Sequence, residues 1–384
     1  MNDTTLTRRR LLGAAAATTA SALSLPALAQ GNGAREIVIG QSAVLSGPLS
    51  ISLKSVLKGQ DMAIDELNRD GGIGGRKLRI VTLDDAYDPK KAVLNATTLI
   101  EKDKAVALFG FSSSATVAAV MPLLASKKVP LIGPYGGSPS LRQQHNPYLF
   151  TMTASYRDEV VQLVRTLVSA QRTRIAVAYQ NHAFGQTMLP LVEEVVKEQG
   201  ATLVAKHSLD SSGSDAVATE RALSEAGPQA VLLVAFGPST VSFIRATRAH
   251  SRFPVYALSI ANSKPLLAEL GDDARGMAFT QTLPFPWRQT TPLTRDFAAV
   301  MAREKLEIDY DHFLGYVNTR VLIEGLRRAG TGNKAITSES LIAGMEAIGK
   351  YDMGGFPLNF SAKNHHGANF VEITVVGDGG KYRR

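Results

Sequence analysis

Apolar residues recur along this chain in two alternating rhythms. Runs such as "EIVIG" (36–40), "KLRIV" (77–81), "AVALFG" (105–110) and "VPLIG" (129–133) are short and almost unbroken. That pattern fits strands buried on both faces. Longer segments between them space their apolar residues by three and four. In "SVLKGQDMAIDELNRDGGIGG" (55–75), Val56, Leu57, Met62, Ala63, Ile64 and Leu67 make one helical face, and Gly71-Gly72 and Gly74-Gly75 end it. A further helix is expected from about Thr116 to Ser126, after a strand and a serine-rich turn.

The alternation restarts after Phe150. "DEVVQLVRTLVSA" reads as helix, "RIAVAYQN" as strand, and the αβ rhythm continues to "PVYALSI" at 254–260. One repeated module implies two similar α/β lobes, each a parallel sheet covered by helices. The connections at 42–47, 110–115, 181–185 and 236–239 then fall at carboxyl edges of sheets, where open α/β folds bind ligands. Three amphipathic helices and a small antiparallel element, "FVEITVVGDGGKYRR", close the chain.

Length agrees with two lobes: 384 residues exceed what one core usually holds. The chain has no cysteine, which excludes disulfides and thiolate chemistry. At the N-terminus, arginines 8–10 precede a small-residue, alanine-rich stretch ending in "ALA" (27–29). Residues 1–29 are expected to be a cleaved export signal, and "TRRRLL" suggests the twin-arginine route. No cysteine follows the cleavage site, so no lipid anchor is expected there and the destination is the periplasm. Cleavage would lower the formal charge from +8 to +6. The basic residues are scattered, which argues against nucleic acid.

From about Glu36 to its end the chain resembles the periplasmic substrate-binding proteins of ABC importers, in the subgroup of the leucine/isoleucine/valine-binding proteins. "IVIGQSAVLSGP", "GGIGGRKLRIVTLDDAYDPKKAV", "GFSSSATVAAVMPLLASKKVPLIGP", "NHAFGQ" and "VLLVAFGP" carry the resemblance, in order, through both lobes. It implies a type I periplasmic binding fold: two doubly wound α/β lobes joined by a three-strand hinge. Lobe one would be 36–151 plus 282–352 and lobe two 152–281 plus 353–384. A ligand would lie in the cleft, the lobes would close over it, and the closed form would dock on a membrane permease. A monomer is expected.

The resemblance also suggests site residues. Ser114, with Ser113 beside it, matches the serine that binds a ligand carboxylate at a helix start, where backbone N–H groups are free; plain capping is the alternative reading. Tyr135, Gly136 and Gly137 lie in the next loop, where backbone groups and an aromatic ring could meet the ligand. Phe184 and Phe236 would be walls from lobe two, or core. Ser52 stands where the branched-chain binders carry a covering tyrosine. Ser259 stands where amino-acid binders carry a glutamate for the ammonium, with no acid in "YALSIANSK" to replace it. A carboxylate without an α-amine, aliphatic or aromatic, is therefore expected over leucine, isoleucine or valine, unless Asp210, Asp215 or Glu159 substitutes in space.

His365 and His366 are read as exposed turn residues rather than a metal pair. Asp84, Asp85 and Asp88 are read as local caps, with Asp85 near the cleft. Neither cofactor nor metal is expected, and no P-loop occurs. The reading is a non-enzymatic receptor feeding an ABC importer. The alternatives are an amino-acid receptor of the same class, a ligand sensor, and a serine hydrolase using Ser114. The last is disfavoured because "GFSSSAT" lacks the second glycine of a nucleophile elbow.

Overall fold

The computed structural model describes residues 36–46, 50–251 and 253–384, the side chains of 51, 52 and 333 excepted. The proposed export signal lies outside them. The first half runs β1 (Glu36–Ala43), α1 (Ser50–Arg69), β2 (Lys77–Asp84), α2 (Pro89–Glu101), β3 (Ala107–Phe109), α3 (Ser114–Lys127), β4 (Leu131–Ile132) and β5 (Leu149–Phe150). These strands form a sheet of order β2-β1-β3-β4-β5, every pair parallel.

The same plan follows in α4 (Tyr156–Ser169), β6 (Arg174–Gln180), α5 (Ala183–Glu198), β7 (Thr202–Leu209), α6 (Ala216–Glu225), β8 (Ala230–Val234), α7 (Pro238–His250), β9 (Val255–Ala257), α8 (Lys264–Leu270) and β10 (Ala278–Gln281). The second sheet contains β7-β6-β8-β9-β10, the same doubly wound order as the first. The repeat inferred from hydrophobic rhythm is thus a repeat of topology.

The chain then returns to the first core with α9 (Pro292–Arg303), α10 (Tyr310–Ala329), α11 (Ser338–Glu346) and a hairpin of β11 (Lys350–Asp352) and β12 (Pro357–Asn359). β13 (Glu372–Val376) pairs antiparallel with β10, and β14 (Tyr382–Arg383) pairs with β13. The last boundary differs from the one expected at 353. Met353, Phe356, Leu358, Phe360 and Ala368 are buried in the first core, with Phe150, Phe297 and Tyr316. The chain therefore leaves that core only between Ala368 and β13. The signal missed is the apolar spacing of "MGGFPLNF", which ties this hairpin to the first lobe.

The histidine pair also differs from expectation. His365 is buried, stacked on Phe150 at 3.8 Å, with Nε2 3.1 Å from Glu346 Oε1 and Nδ1 3.1 Å from the Asn146 carbonyl. His366 Nδ1 lies 2.9 Å from Thr151 Oγ1. The two rings face different neighbours, as alternation along an extended segment requires, but both are used in packing. Among the aspartates, Asp88 caps α2 through the Lys90 N–H at 2.8 Å, and Asp84 accepts the Leu45 and Ala86 N–H groups. Asp85 is buried and accepts the Ser42 hydroxyl at 2.8 Å.

Candidate functional site

Loops leaving the carboxyl ends of both sheets meet at one cavity of about 440 Å³. Val44, Tyr87, Ser112 and Gly137 reach it after β1 to β4, and Phe236, Ser259 and Thr282 after β8 to β10. Leu53 and Val56 of α1, Tyr135, and Leu314 of α10 make an apolar floor. The volume suits a small molecule and the lining is largely apolar with a few polar groups, the usual character of a ligand site.

The three serines divide their work. Ser113 caps α3: its Oγ accepts the Thr116 N–H at 3.0 Å, and it is buried. Ser114 Oγ accepts the Ser138 N–H at 3.3 Å. Neither is among the cavity-lining residues; Ser112 is. Ser112 Oγ accepts the Val44 N–H at 3.3 Å, so its own proton is free to donate inward. Sequence reasoning passed over Ser112 because the family motif pointed two residues further on.

The loop after β4 lies hard against α3. A Cβ on Gly136 would come 2.6 Å from Ser114 Oγ and 2.7 Å from Ser114 N, so this glycine permits the close approach of loop to helix start. Gly137 lines the cavity, and its carbonyl accepts the Tyr156 N–H at 2.9 Å. The Tyr135 ring is part of the cleft wall, while its hydroxyl is buried and directed at Gly110 and Gln41. Burial raises the phenol's pKa.

On the opposite wall Phe236 faces the cavity. Phe184 stands behind it, edge-on to Phe236 at 5.6 Å and to Tyr156 at 5.4 Å. It supports the wall and is not among the residues that line the cavity. Ser52 falls in the first turn of α1, its side chain outside the described residues.

Ser259 does not stand alone. Glu159, in the first turn of α4, accepts the Ser259 N–H at 2.8 Å and the Ser259 hydroxyl at 3.0 Å, and also the Thr280 hydroxyl. All three elements border the cavity, and Glu159 lines it. Of the three acids that could substitute in space, Glu159 is the one that reaches Ser259, from a helix a hundred positions earlier. Burial holds the Glu159 carboxyl above the usual carboxylate range, and the bonds from Thr280 and Ser259 work against that rise. Arg142, whose guanidinium donates to the Thr153 carbonyl at 2.8 Å, lies near enough for charge coupling to Glu159. Burial lowers the Arg142 pKa to about 10.

The chain carries a formal charge of +8, yet its cleft is acidic. Glu159, Glu269 and Asp311 line it, and no Lys, Arg or His does so among the described residues. The net charge of the whole chain therefore does not describe the field inside the cleft.

Residues 36–381 match the family model described as periplasmic binding protein. The chain belongs to that family. Among its relatives is a Leu/Ile/Val-binding protein homolog of Brucella melitensis, 26% identical, with 89% of this chain and 90% of the relative aligned. Another is the leucine-, isoleucine-, valine-, threonine- and alanine-binding protein of Pseudomonas aeruginosa, 24% identical over 80% of this chain and 82% of the relative. The crystal structure of a substrate-binding periplasmic protein from Ralstonia solanacearum superposes with a TM-score of 0.81 at 29% identity, covering 90% of this chain and 99% of that one.

Membership in the periplasmic binding protein family makes this chain a binding protein and not an enzyme.

Proposed function

We propose that this periplasmic binding protein captures a small amino-acid-like carboxylate and delivers it to the permease of an ABC importer. The observation that carries the reading is the placement of Glu159 on Ser259. It supplies the acidic group that an α-ammonium needs, in a cleft whose lining is otherwise largely apolar with a few polar and acidic groups. Glu159 Oε1 accepts one hydrogen bond and Oε2 accepts two. A carboxylate has about four acceptor sites, so one on Oε1 remains for a ligand N–H. The ligand carboxylate would take the Ser112 hydroxyl and the backbone around Gly137. Leu53, Val56, Tyr135, Leu314 and Phe236 would cover its apolar body.

A ligand bound by both walls favours the closed arrangement of the lobes, the form a permease would read. The leucine, isoleucine and valine specificity in the relative's name supports an amino acid; the acidic lining speaks against a bare carboxylate. Residues 1–29 are proposed to be removed on export, which N-terminal sequencing of the periplasmic protein would test.

The deciding experiment is a thermal-shift screen of the mature protein followed by calorimetry. It pairs leucine, isoleucine and valine with their 2-oxo acids, and includes benzoate and cinnamate. Ligand that binds only the folded state raises the apparent stability with the logarithm of its concentration relative to Kd. The amino forms are expected to bind more tightly. Tighter binding of the 2-oxo or aromatic acids would sink the amine-recognition part of the proposal.

A further inference from the structure

A second cavity, of about 690 Å³, lies beside the cleft and shares Asn262, Ser263, Tyr310 and Asp311 with it. Its wall is aromatic: the Trp287 ring is 5.0 Å from Phe285 and 5.2 Å from both Tyr310 and Tyr382. The Tyr382 hydroxyl donates to Asn262 Oδ1. The charged groups here are mostly engaged. Lys264 Nζ is 2.7 Å from Glu307, and Asp309 accepts both the backbone N–H and, at 2.8 Å, the ring Nδ1 of His312.

Asp311 is the buried exception. It stands in the first turn of α10, one turn before Leu314. Leu314 belongs to the apolar floor of the cleft, so Asp311 sits where that floor ends and the second cavity begins. Its Oδ2 is buried and accepts no hydrogen bond among the described residues. Neither Lys264 nor Lys381, both on the second cavity, forms an ion pair with it. A buried carboxylate oxygen without a donor is unfavourable, and such atoms in native structures call for an explanation. Burial, with Asp309 next to it, raises its pKa to about 7, against the Lys264 backbone N–H. A cation supplied from outside would remove both penalties at once.

Building on the amino-acid reading above, we propose that the ligand carries a second cationic nitrogen at the far end of its apolar chain, and that Asp311 is its partner. The ligand is then a basic amino acid: carboxylate toward Ser112, α-amine on Glu159, methylenes over Leu53, Val56 and Leu314, terminal amine or guanidinium at Asp311. The distribution of charge in the cleft agrees: Glu159 and Asp311 stand at separate points on its wall, with Glu269 a third acid, and such a lining asks for more than one positive group. The aromatic rings beyond Asp311 would favour the same group through cation–π attraction.

The test compares L-lysine and L-ornithine with L-norleucine and L-leucine by calorimetry on the mature protein, in wild type and in Asp311→Asn. Lysine or ornithine is expected to bind at least tenfold more tightly than norleucine to wild type. Asp311→Asn should bring that ratio to within about threefold through a loss of lysine and ornithine affinity, and its unliganded melting temperature reports whether it folds. Norleucine or leucine binding as well as lysine and ornithine to wild type overturns this inference alone. So does a lysine preference that survives in Asp311→Asn. If none of the four binds, the amino-acid reading fails and takes this inference with it.

Discussion

Glu159 and Ser259 are joined by two hydrogen bonds across 100 positions of sequence, from the start of α4 to the end of β9. This contact fixes a carboxylate at the wall of the cleft where sequence comparison finds only a hydroxyl. The arrangement is structural and electrostatic together, because the same acid also takes the Thr280 hydroxyl at the base of β10.

Glu159→Gln should therefore separate ligands by their charge. The amide keeps the shape but removes the anion, and turns an N–H₂ toward groups that already donate. Amino-acid affinity is expected to fall by about 30-fold or more, in keeping with the roughly 1.5–3 kcal/mol of a hydrogen bond to a charged group. Affinity for the matching 2-oxo acid should hold or improve. Calorimetry with both ligands checks this; an equal loss for both would mean that Glu159 serves only the fold.

The serines offer a second separation. Ser112→Ala removes a cavity-lining hydroxyl and, with it, the acceptor for the Val44 N–H, so ligand affinity should weaken about 3- to 10-fold and stability should fall by about 1 kcal/mol. Ser114→Ala removes the acceptor for the Ser138 N–H. That change should lower stability by about 1 kcal/mol and leave affinity within about twofold. Denaturation should show similar losses for the two variants, and calorimetry should separate them. The reverse outcome would return the carboxylate contact to Ser114.

Much of this architecture is legible in the amino-acid sequence. The short apolar runs and three-to-four spacings give both parallel sheets because buried strands and amphipathic helices leave local signatures. The loop positions of Tyr135, Gly137, Phe236 and Ser259 follow from the same rhythm. What is not legible depends on contacts distant in sequence. Glu159 is one of three acids the sequence offers as a substitute, with Asp210 and Asp215, and nothing near it in sequence singles it out or names Ser259 or Thr280. Asp311 carries no local signal that it borders a cleft, since the start of a helix is a common and favourable place for an aspartate. The division among Ser112, Ser113 and Ser114 depends on where the β4 loop presses against α3, a packing detail that three adjacent hydroxyls do not reveal.

The buried histidines predict acid sensitivity. Burial, Arg142 and the two neighbouring histidines lower the His366 pKa to about 4, and burial also lowers that of His365. An unfolded chain takes up these protons near pH 6.5. Between pH 6.5 and about 4 the unfolded state then binds more protons, so stability falls as pH drops and is fully present above the window. Asp311 acts in the opposite sense: its raised pKa makes stability fall as pH rises from about 4 toward 7. Comparing His366→Asn with wild type removes this background. Chemical denaturation at pH 7 and pH 5 should show wild type losing more stability than the variant over that interval. Parallel losses would mean that His366 titrates normally in the folded protein.

Gly136 tests whether the cleft depends on the close seating of its loops. Its backbone lies over the first residue of α3 with no room for a side chain: an added Cβ would meet Ser114 N at 2.7 Å and Ser114 Oγ at 2.6 Å. The hydroxyl could rotate away, but the backbone nitrogen belongs to a helix whose cap, Ser113, is buried. Gly136→Ala must then lift the loop from α3, moving Tyr135 and Gly137, the two loop residues that line the cavity. Such overpacking commonly costs about 1–3 kcal/mol. The variant should lose stability in that range and, unlike Ser114→Ala, should also lose ligand affinity by about tenfold, because the displaced residues are part of the binding wall. Measuring both quantities on both variants distinguishes a loop held in place for binding from one that merely packs. Wild-type affinity in a destabilised Gly136→Ala protein would show that the seating of this loop does not shape the site.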